Sequence, residues 1–217
     1  MDEVTDLTSR LRKHVDVLAE LIGERNTSRP QALQLARDYI QRELVAMGHA
    51  VTPQPFKVRS RPAVNYEVFL PGRRSSKPTL VIGAHYDSAV GTPGADDNAS
   101  AVAILLEISR ALAGRKLRRN VRIVFYDCEE APHFNFAEMG SQFHAAGLRS
   151  KGEALMGMIC LESLGYFTRD PAVTLIATLP ASAGQCRLQR LFLLRQIDLL
   201  FVDRLQDAGS EEKVQRR

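Results

Sequence analysis

The chain has 217 residues, of which 45% are hydrophobic and 25% are charged, so its composition is that of an ordinary globular protein with room for one substantial α/β domain or two small ones. This composition excludes intrinsically disordered, collagen-like and low-complexity proteins, and no apolar run approaches the ~18 residues that a membrane-spanning helix needs. The net charge is +4 and aromatic residues make up 6% without any Trp, which argues against a nucleic-acid-binding protein. Because no apolar run is long enough to span a membrane, no membrane partner is expected.

The N-terminal part of the chain predicts two helices. Apolar residues recur at helical spacing from residue 4 to residue 22, and Gly23 follows as a stop signal. A second helix is expected to begin near Ser28-Arg29-Pro30, because Ser is a good N-cap and Pro is tolerated in the first turn. Gly48 is expected to end this helix.

Strand signals come next along the chain. Residues 50–58 and 65–70 are β-like runs, and the polar stretch 73–77 predicts a hairpin turn or short loop. Residues 79–84 form a continuous apolar run, which is typical of a central strand buried on both faces.

Helices and strands alternate in the remainder of the chain. In chain order, the pattern predicts a helix over about 99–112 capped by Asn98, a buried strand at 121–126, a short helix near 139–146, and strands at 155–161 and 172–178. This alternation predicts an α/β fold, a three-layer sandwich around a mostly parallel mixed sheet.

The three cysteines, Cys128, Cys160 and Cys186, lie far apart and include no CxxC pair. An odd count of widely spaced cysteines makes a disulfide framework unlikely. The polar, acidic first residues lack the apolar segment of a signal peptide. These features predict a reducing, cytoplasmic setting.

Four predicted element ends each present a histidine or carboxylates. These residues are His85 and Asp87, Asp96 and Asp97, then Asp127, Glu129 and Glu130, and finally Glu162. Binding sites in open α/β sheets gather at the carboxyl ends of strands, so we expect these side chains to converge. Unpaired carboxylates repel one another and resist burial, and a divalent cation would relieve that repulsion. Imidazole together with carboxylates suits zinc, and two such metals bridged by one carboxylate form a common hydrolytic clamp.

These residues belong to five motifs that occur in a characteristic order. The motifs are Gly83-Ala84-His85-Tyr86-Asp87-Ser88, Gly94-Ala95-Asp96-Asp97-Asn98-Ala99-Ser100, Glu129-Glu130, Met139-Gly140-Ser141, and Leu161-Glu162 with Gly165-Tyr166. Together they resemble the M28 family of zinc aminopeptidases, over about residues 13–178. The resemblance implies a zinc-exopeptidase-like fold and a peptide or aminoacyl substrate.

The resemblance also implies roles for individual residues. His85 and Glu162 resemble ligands of one Zn²⁺ ion, Glu130 resembles a ligand of a second Zn²⁺ ion, and Asp97 resembles the carboxylate that bridges the two. Asp87 resembles the carboxylate that orients the His85 ring, in line with the general need of a metal-bound histidine for an acceptor.

Glu129 resembles the general base of the family, which takes a proton from water and passes it to the leaving amine. The reaction so implied is zinc-dependent hydrolysis of N-terminal amino acids from peptides. Proton transfer of this kind contributes typically about 10²–10⁴-fold to a rate.

The chain departs from the family pattern at its C-terminal end. The family normally supplies a further zinc-ligating histidine there, whereas this chain has no histidine after His144. We therefore expect one complete and one incomplete zinc site, with His133 as a possible substitute ligand. The resemblance fades after about residue 179, which predicts an incomplete, C-terminally truncated catalytic domain at 1–180 and a divergent helical tail at 181–217.

Other interpretations of the same residues stay open at this point. Asp96-Asp97-Asn98 also fits a plain helix N-cap, and Glu129-Glu130 and Glu162 also fit solvated loop carboxylates. Asp127 is a further candidate acceptor behind the site. Two other functions compete with the peptidase: a catalytically inactive metal-binding or interaction protein on the same scaffold, and a single-zinc acyltransferase of the glutaminyl-cyclase type. The oligomeric state is not predicted.

Overall fold

The structure, a computed structural model, describes residues 3–73, 78–134 and 136–165. The strand predicted at 172–178, the helical tail and the proposed domain boundary near residue 180 lie outside the described residues, as does Tyr166 of the last motif.

Both helices predicted near the N-terminus are confirmed. The described helices are α1 (Glu3–Val15), continued by a π-helical segment (Asp16–Ile22), then α2 (Pro30–Ala46), a short helical segment (Ala95–Ser100) that leads into α3 (Ala101–Leu112), and α4 (Gly140–Ser150). One detail of α2 was wrong, since its N-cap residue is Arg29 rather than Ser28 and makes no side-chain cap hydrogen bond.

Within the described residues, five strands form one mixed sheet, which confirms the predicted α/β fold. The strands are β1 (Val51–Val58), β2 (Arg61–Leu70), β3 (Thr79–His85), β4 (Val121–Tyr126) and β5 (Leu155–Cys160), in the spatial order β1-β2-β4-β3-β5. β3 pairs in parallel with both β4 and β5, whereas β2 is antiparallel to both of its neighbours. The sheet is therefore a block of three parallel strands extended by a β-hairpin.

The second strand begins earlier than its apolar pattern suggests. Arg59 and Ser60 both have positive φ, and this two-residue turn pairs β2 with β1 all the way back to Arg61. Only Tyr66–Leu70 of β2 also pairs with β4, so Pro62 lies where the strand is paired on one side only. A proline is tolerated there because no second ladder needs its missing N–H.

The two faces of the parallel strands pack against different helices. Leu148 of α4 clusters with Val81, Val124 and Tyr126 on one face. The alternate side chains, such as Ile82 and Phe125, are also fully buried, and α3 packs against β3 and β4. Because β3, β4 and β5 run in parallel, their carboxyl ends meet at one edge of the sheet. Within the described part of the chain, no helix combines the length and apolarity needed to cross a membrane.

Candidate metal centre

His85 is the last residue of β3, and its ring stands among three carboxylates. Its Nε2 atom lies 3.0 Å from Asp97 Oδ1 and 3.2 Å from Glu162 Oε1, while its Nδ1 atom lies 3.2 Å from Asp87 Oδ1. Burial alone would lower the pKa of His85, but the hydrogen bonds with these carboxylates raise the pKa well above its usual value. The surrounding carboxylates therefore favour a positive charge at the position of His85.

Glu130 joins this cluster from the turn that follows β4. One ligand atom each from His85, Asp97 and Glu130 lie within 4.8 Å of one another. Burial, together with nearby carboxylates such as Asp97, raises the pKa of Glu130 to about 6. This raised pKa indicates that the carboxylate lacks enough compensating positive charge.

The donor set fits a divalent cation. Atoms bound to one zinc ion lie ~2 Å from the ion and hence ~3–4 Å from one another. The distances from His85 Nε2 to Asp97 and to Glu162 already fall in that range. One imidazole nitrogen with several carboxylate oxygens is also a ligand set that zinc accepts.

Asp87 connects the His85 ring to the turn that carries both glutamates. It is buried, and its two carboxylate oxygens accept the backbone N–H groups of Glu129 at 3.2 Å and of Glu130 at 3.0 Å. The sequence pattern predicts its contact with His85 but not these two hydrogen bonds. One carboxylate thus sets the relative position of the ends of β3 and β4.

Glu129 is held by the first turn of α4. Its carboxylate accepts the Ser141 backbone N–H at 2.6 Å and the Ser141 hydroxyl at 2.8 Å. Burial raises the pKa of Glu129 to about 7, although the hydrogen bonds from Ser141 oppose that rise. A carboxylate with a pKa near neutrality can both accept and release a proton under ordinary conditions.

The prediction that Asn98 caps α3 was wrong. Asn98 stands at a kink with non-helical φ and ψ just before α3, where a cap residue would stand, but its side chain makes no hydrogen bond to the first turn of that helix. It donates instead to the Leu161 carbonyl at 3.0 Å, next to Glu162. Asn98 therefore links the segment of Asp97 to the loop of Glu162.

Arg25 supports the candidate site, although the sequence pattern does not single it out. Its guanidinium is fully buried and donates to five backbone carbonyls, those of Leu18, Gly23, Tyr86, Pro93 and Gly94. Three of these carbonyls belong to the loop between His85 and Asp97, so Arg25 fixes the path of that loop. Burial lowers the pKa of Arg25 to about 10. A single arginine between two helices carries no local signal for such a role.

His133, which the sequence offers only as a minor alternative to the missing ligand, has other partners in the structure. Its Nε2 atom lies 3.1 Å from the Thr27 hydroxyl, its Nδ1 atom lies 3.5 Å from Glu138, and the described metal-ligating cluster does not include it. Asp127, the other candidate acceptor, pairs with Arg37 at 2.5 Å and accepts no hydrogen bond from the His85 ring.

The sequence model of Peptidase family M28 matches residues 65–187, more than half of the chain. The chain belongs to peptidase family M28. Every member of the candidate metal centre lies within the matched residues.

This M28 chain is 36% identical over 170 residues to the uncharacterized protein YfbL of Escherichia coli, covering 75% of this chain and 51% of YfbL. Glutaminyl cyclase of Porphyromonas gingivalis has a TM-score of 0.60 at 23% identity, with 75% of this chain and 59% of that chain covered. A Zn-dependent exopeptidase of Parabacteroides distasonis has a TM-score of 0.58 at 22% identity, with 75% and 62% covered. These two structures share the fold. The chain spans about half the length of the curated relative YfbL.

Proposed function

We propose that this M28 chain carries the catalytic part of a zinc-dependent aminopeptidase, which hydrolyses the N-terminal amino acid from a peptide. The observation that carries the proposal is the position of the Glu129 carboxylate. Ser141 holds this carboxylate by two hydrogen bonds, and burial raises its pKa to about 7. Glu129 also directly precedes Glu130, which belongs to the metal-ligating cluster. A metal-binding protein without catalysis has no need of a positioned base at that point.

His85, Asp97 and Glu162 would hold one zinc ion, and Asp97 with Glu130 would contribute to a second. This division follows the family pattern, and the distances around His85 Nε2 support its first half. When bound, zinc supplies Lewis acidity, which polarises a carbonyl group and lowers the pKa of water. The second ion has two described protein ligands and is expected to bind more weakly.

The chain's own residues perform the remaining tasks. Asp87 holds the His85 ring through Nδ1 and leaves Nε2 directed at Asp97 and Glu162. Glu129 accepts a proton from the attacking water and delivers it to the nitrogen of the leaving amine. Ser141 keeps the Glu129 carboxylate in one orientation, so that the same group serves both transfers.

A second candidate function is the cyclisation of an N-terminal glutamine, with release of ammonia. Several solved structures with this fold are glutaminyl cyclases. One complete ligand set, His85 with Asp97 and Glu162, would suffice for a single-zinc acyl transfer. A third candidate is a metal-binding protein without activity, in which the incomplete second position abolishes catalysis.

One experiment separates the three candidates. The full chain is purified, its zinc content is measured by elemental analysis, and it is incubated with aminoacyl chromogenic substrates and with a glutaminyl peptide. We expect chelator-sensitive release of the chromophore, lost in Glu129→Gln while zinc remains bound. Ammonia release without shortening of the glutaminyl peptide would favour the cyclase. Bound zinc without either product would reject both enzymes.

We further propose the 1–180 and 181–217 division and a cytoplasmic location. The division rests on the fading of the family motifs, and the location rests on the cysteine pattern. Limited proteolysis of the full chain and fractionation of the source cells would test them.

A further inference from the structure

The loop that carries Glu162 is bound by the helical segment that contains Asp97, Ala95–Ser100. Asn98 makes three contacts with this loop. Its Nδ2 atom donates to the Leu161 carbonyl at 3.0 Å and lies 3.4 Å from Glu162 Oε2, and its Oδ1 atom accepts the Ser163 N–H at 3.2 Å. Asn98 is fully buried, so these contacts are shielded from water.

Two neighbours of Asn98 extend this attachment along the same loop. The Ser100 hydroxyl oxygen accepts the Leu164 N–H at 3.0 Å, and Asp96 Oδ1 accepts the Gly165 N–H at 2.6 Å. A Cβ atom at Gly165 would lie only 2.7 Å from that Asp96 oxygen, so a larger residue at this position would push the Asp96 carboxylate aside. Three consecutive backbone amides are therefore each bound by one of three alternate side chains, those of residues 96, 98 and 100.

This attachment acts on Glu162 because the residue stands just beyond the end of a strand. The last ladder-type hydrogen bond on this side is from the Leu161 N–H to the Gly83 carbonyl, at 2.8 Å. Glu162 lies between that bond and the three bound amides, with its Oε1 atom 3.2 Å from His85 Nε2. Both flanks of Glu162 are thus fixed, one by the sheet and the other by the helical segment.

We propose that Asp96, Asn98 and Ser100 are positioning residues that hold Glu162 in place as a metal ligand. The proposal rests on the proposed zinc site. It adds the residues that hold Glu162, the ligand farthest along the chain, at a fixed position relative to His85 and Asp97. Groups that orient metal ligands typically change metal affinity by about 10–100-fold when they are removed.

The sharpest single variant is Asn98→Asp. Aspartate keeps the shape and still accepts the Ser163 N–H, but it cannot donate to the Leu161 carbonyl and brings a second carboxylate against Glu162. We expect zinc affinity, measured on the full chain by competition with a chromogenic chelator, to fall by about 10–100-fold. The far-UV circular dichroism and the metal-free unfolding midpoint should report whether the variant is folded.

Ser100→Ala is a milder variant with a close control. Both Ser100 and Ser109 donate a hydroxyl hydrogen bond to the carbonyl four residues earlier, but only Ser100 also accepts from the loop. We expect Ser100→Ala to weaken zinc binding several-fold and to speed hydrogen exchange at the Leu164 amide. Ser109→Ala should change neither quantity.

A double-mutant cycle separates positioning from general loosening of the site. If Asn98 acts through Glu162, Asn98→Asp should cost much less zinc affinity in a Glu162→Ala background than in the wild type. An equal loss in both backgrounds would overturn the proposal and leave the proposed function intact. Unchanged zinc affinity in folded Asn98→Asp would do the same. A wild-type chain that binds no zinc would overturn both the proposed function and the positioning role.

Discussion

The carboxylate of Glu129 accepts two hydrogen bonds from Ser141, one from its backbone N–H and one from its hydroxyl. Ser141 stands in the first turn of α4, where backbone N–H groups have no partner within the helix. The helix therefore offers a fixed donor to the proposed general base at no cost to its own hydrogen bonding. The placement of α4 therefore sets the orientation of the proposed general base.

Ser141→Ala should reduce kcat for aminoacyl substrates by about tenfold. The variant removes the hydroxyl donor and keeps the N–H donor, and one hydrogen bond to a charged group is worth about 1.5 kcal/mol, or about tenfold in rate. KM and zinc content should stay near the wild-type values, because Ser141 contacts no member of the metal-ligating cluster. Ser150→Ala removes an exposed hydroxyl from the same helix and should leave kcat unchanged. A loss of zinc in Ser141→Ala would contradict this division of roles.

The sequence predicts those parts of the fold and site that depend on local pattern. The run at residues 79–84 forms a strand buried along its whole length, and the strand at 121–126 has the predicted bounds. The carboxylates that the structure brings to His85 also follow from the pattern. Each stands directly after a strand or at a helix start, and parallel strands place those ends at one edge.

The residues that support the site were not predictable in this way. Asn98 was expected to cap a helix because its side chain suits that local role, but a loop more than 60 residues later binds the same amide. Asn65 bonds to Gly140, and Arg25 to a loop about 60 residues away, with equally little local signal. Tertiary contacts determine the hydrogen-bond partners of these side chains, and the local pattern of a single sequence does not reveal those contacts.

Glu130→Gln should stabilise the metal-free protein and weaken its response to zinc. Burial and the surrounding carboxylates raise the pKa of Glu130 to about 6, so its ionised form costs free energy at pH 7. After allowance for solvent screening, we expect the variant to gain about 1 kcal/mol in urea unfolding with a chelator present. The rise in stability on adding zinc should be smaller than in the wild type, because one ligand is lost. An equal rise in both proteins would show that Glu130 does not bind the metal.

Glu67 should make stability depend on pH in the acidic range. Burial opposes its ionisation, but the hydrogen bond from His144 and the charge of Arg122 hold the pKa of Glu67 below its usual value. A carboxylate with a lowered pKa contributes stability that is fully present above the unfolded pKa, ~4.3, and is lost as pH falls through the folded pKa.

Replacing Glu67 tests that dependence directly. Glu67→Gln should lower the free energy of unfolding by about 2 kcal/mol at pH 7, and the difference should shrink as the pH falls below ~4.3. Urea unfolding between pH 3 and pH 7 measures it. Glu20→Gln changes an exposed carboxylate and should leave the pH profile of stability as it is in the wild type. A difference between Glu67→Gln and wild type that stays constant over this range would reject the electrostatic explanation.

Gly140 fixes the position of α4 against the sheet, and its replacement should affect stability and catalysis together. A Cβ at Gly140 would lie 2.2 Å from Asn65 Oδ1 and 2.5 Å from the Asp127 carbonyl oxygen. Asn65 itself bridges the Asp127 N–H and the Gly140 carbonyl, so the added methyl would push apart the contact that seats the helix. Gly140→Ala should therefore cost about 1–3 kcal/mol in urea unfolding and move the Ser141 donors away from Glu129.

Gly147→Ala is the matched control, because both glycines lie in α4 and a Cβ at Gly147 would meet nothing within 4 Å. Alanine is a better helix former than glycine, so this variant should gain about 0.5–1 kcal/mol and keep its kcat. The same substitution in one helix should therefore lower the stability at Gly140 and raise it at Gly147. A Gly140→Ala protein that is as stable and as active as Gly147→Ala would show that the contact with Asn65 and Asp127 does not position the base.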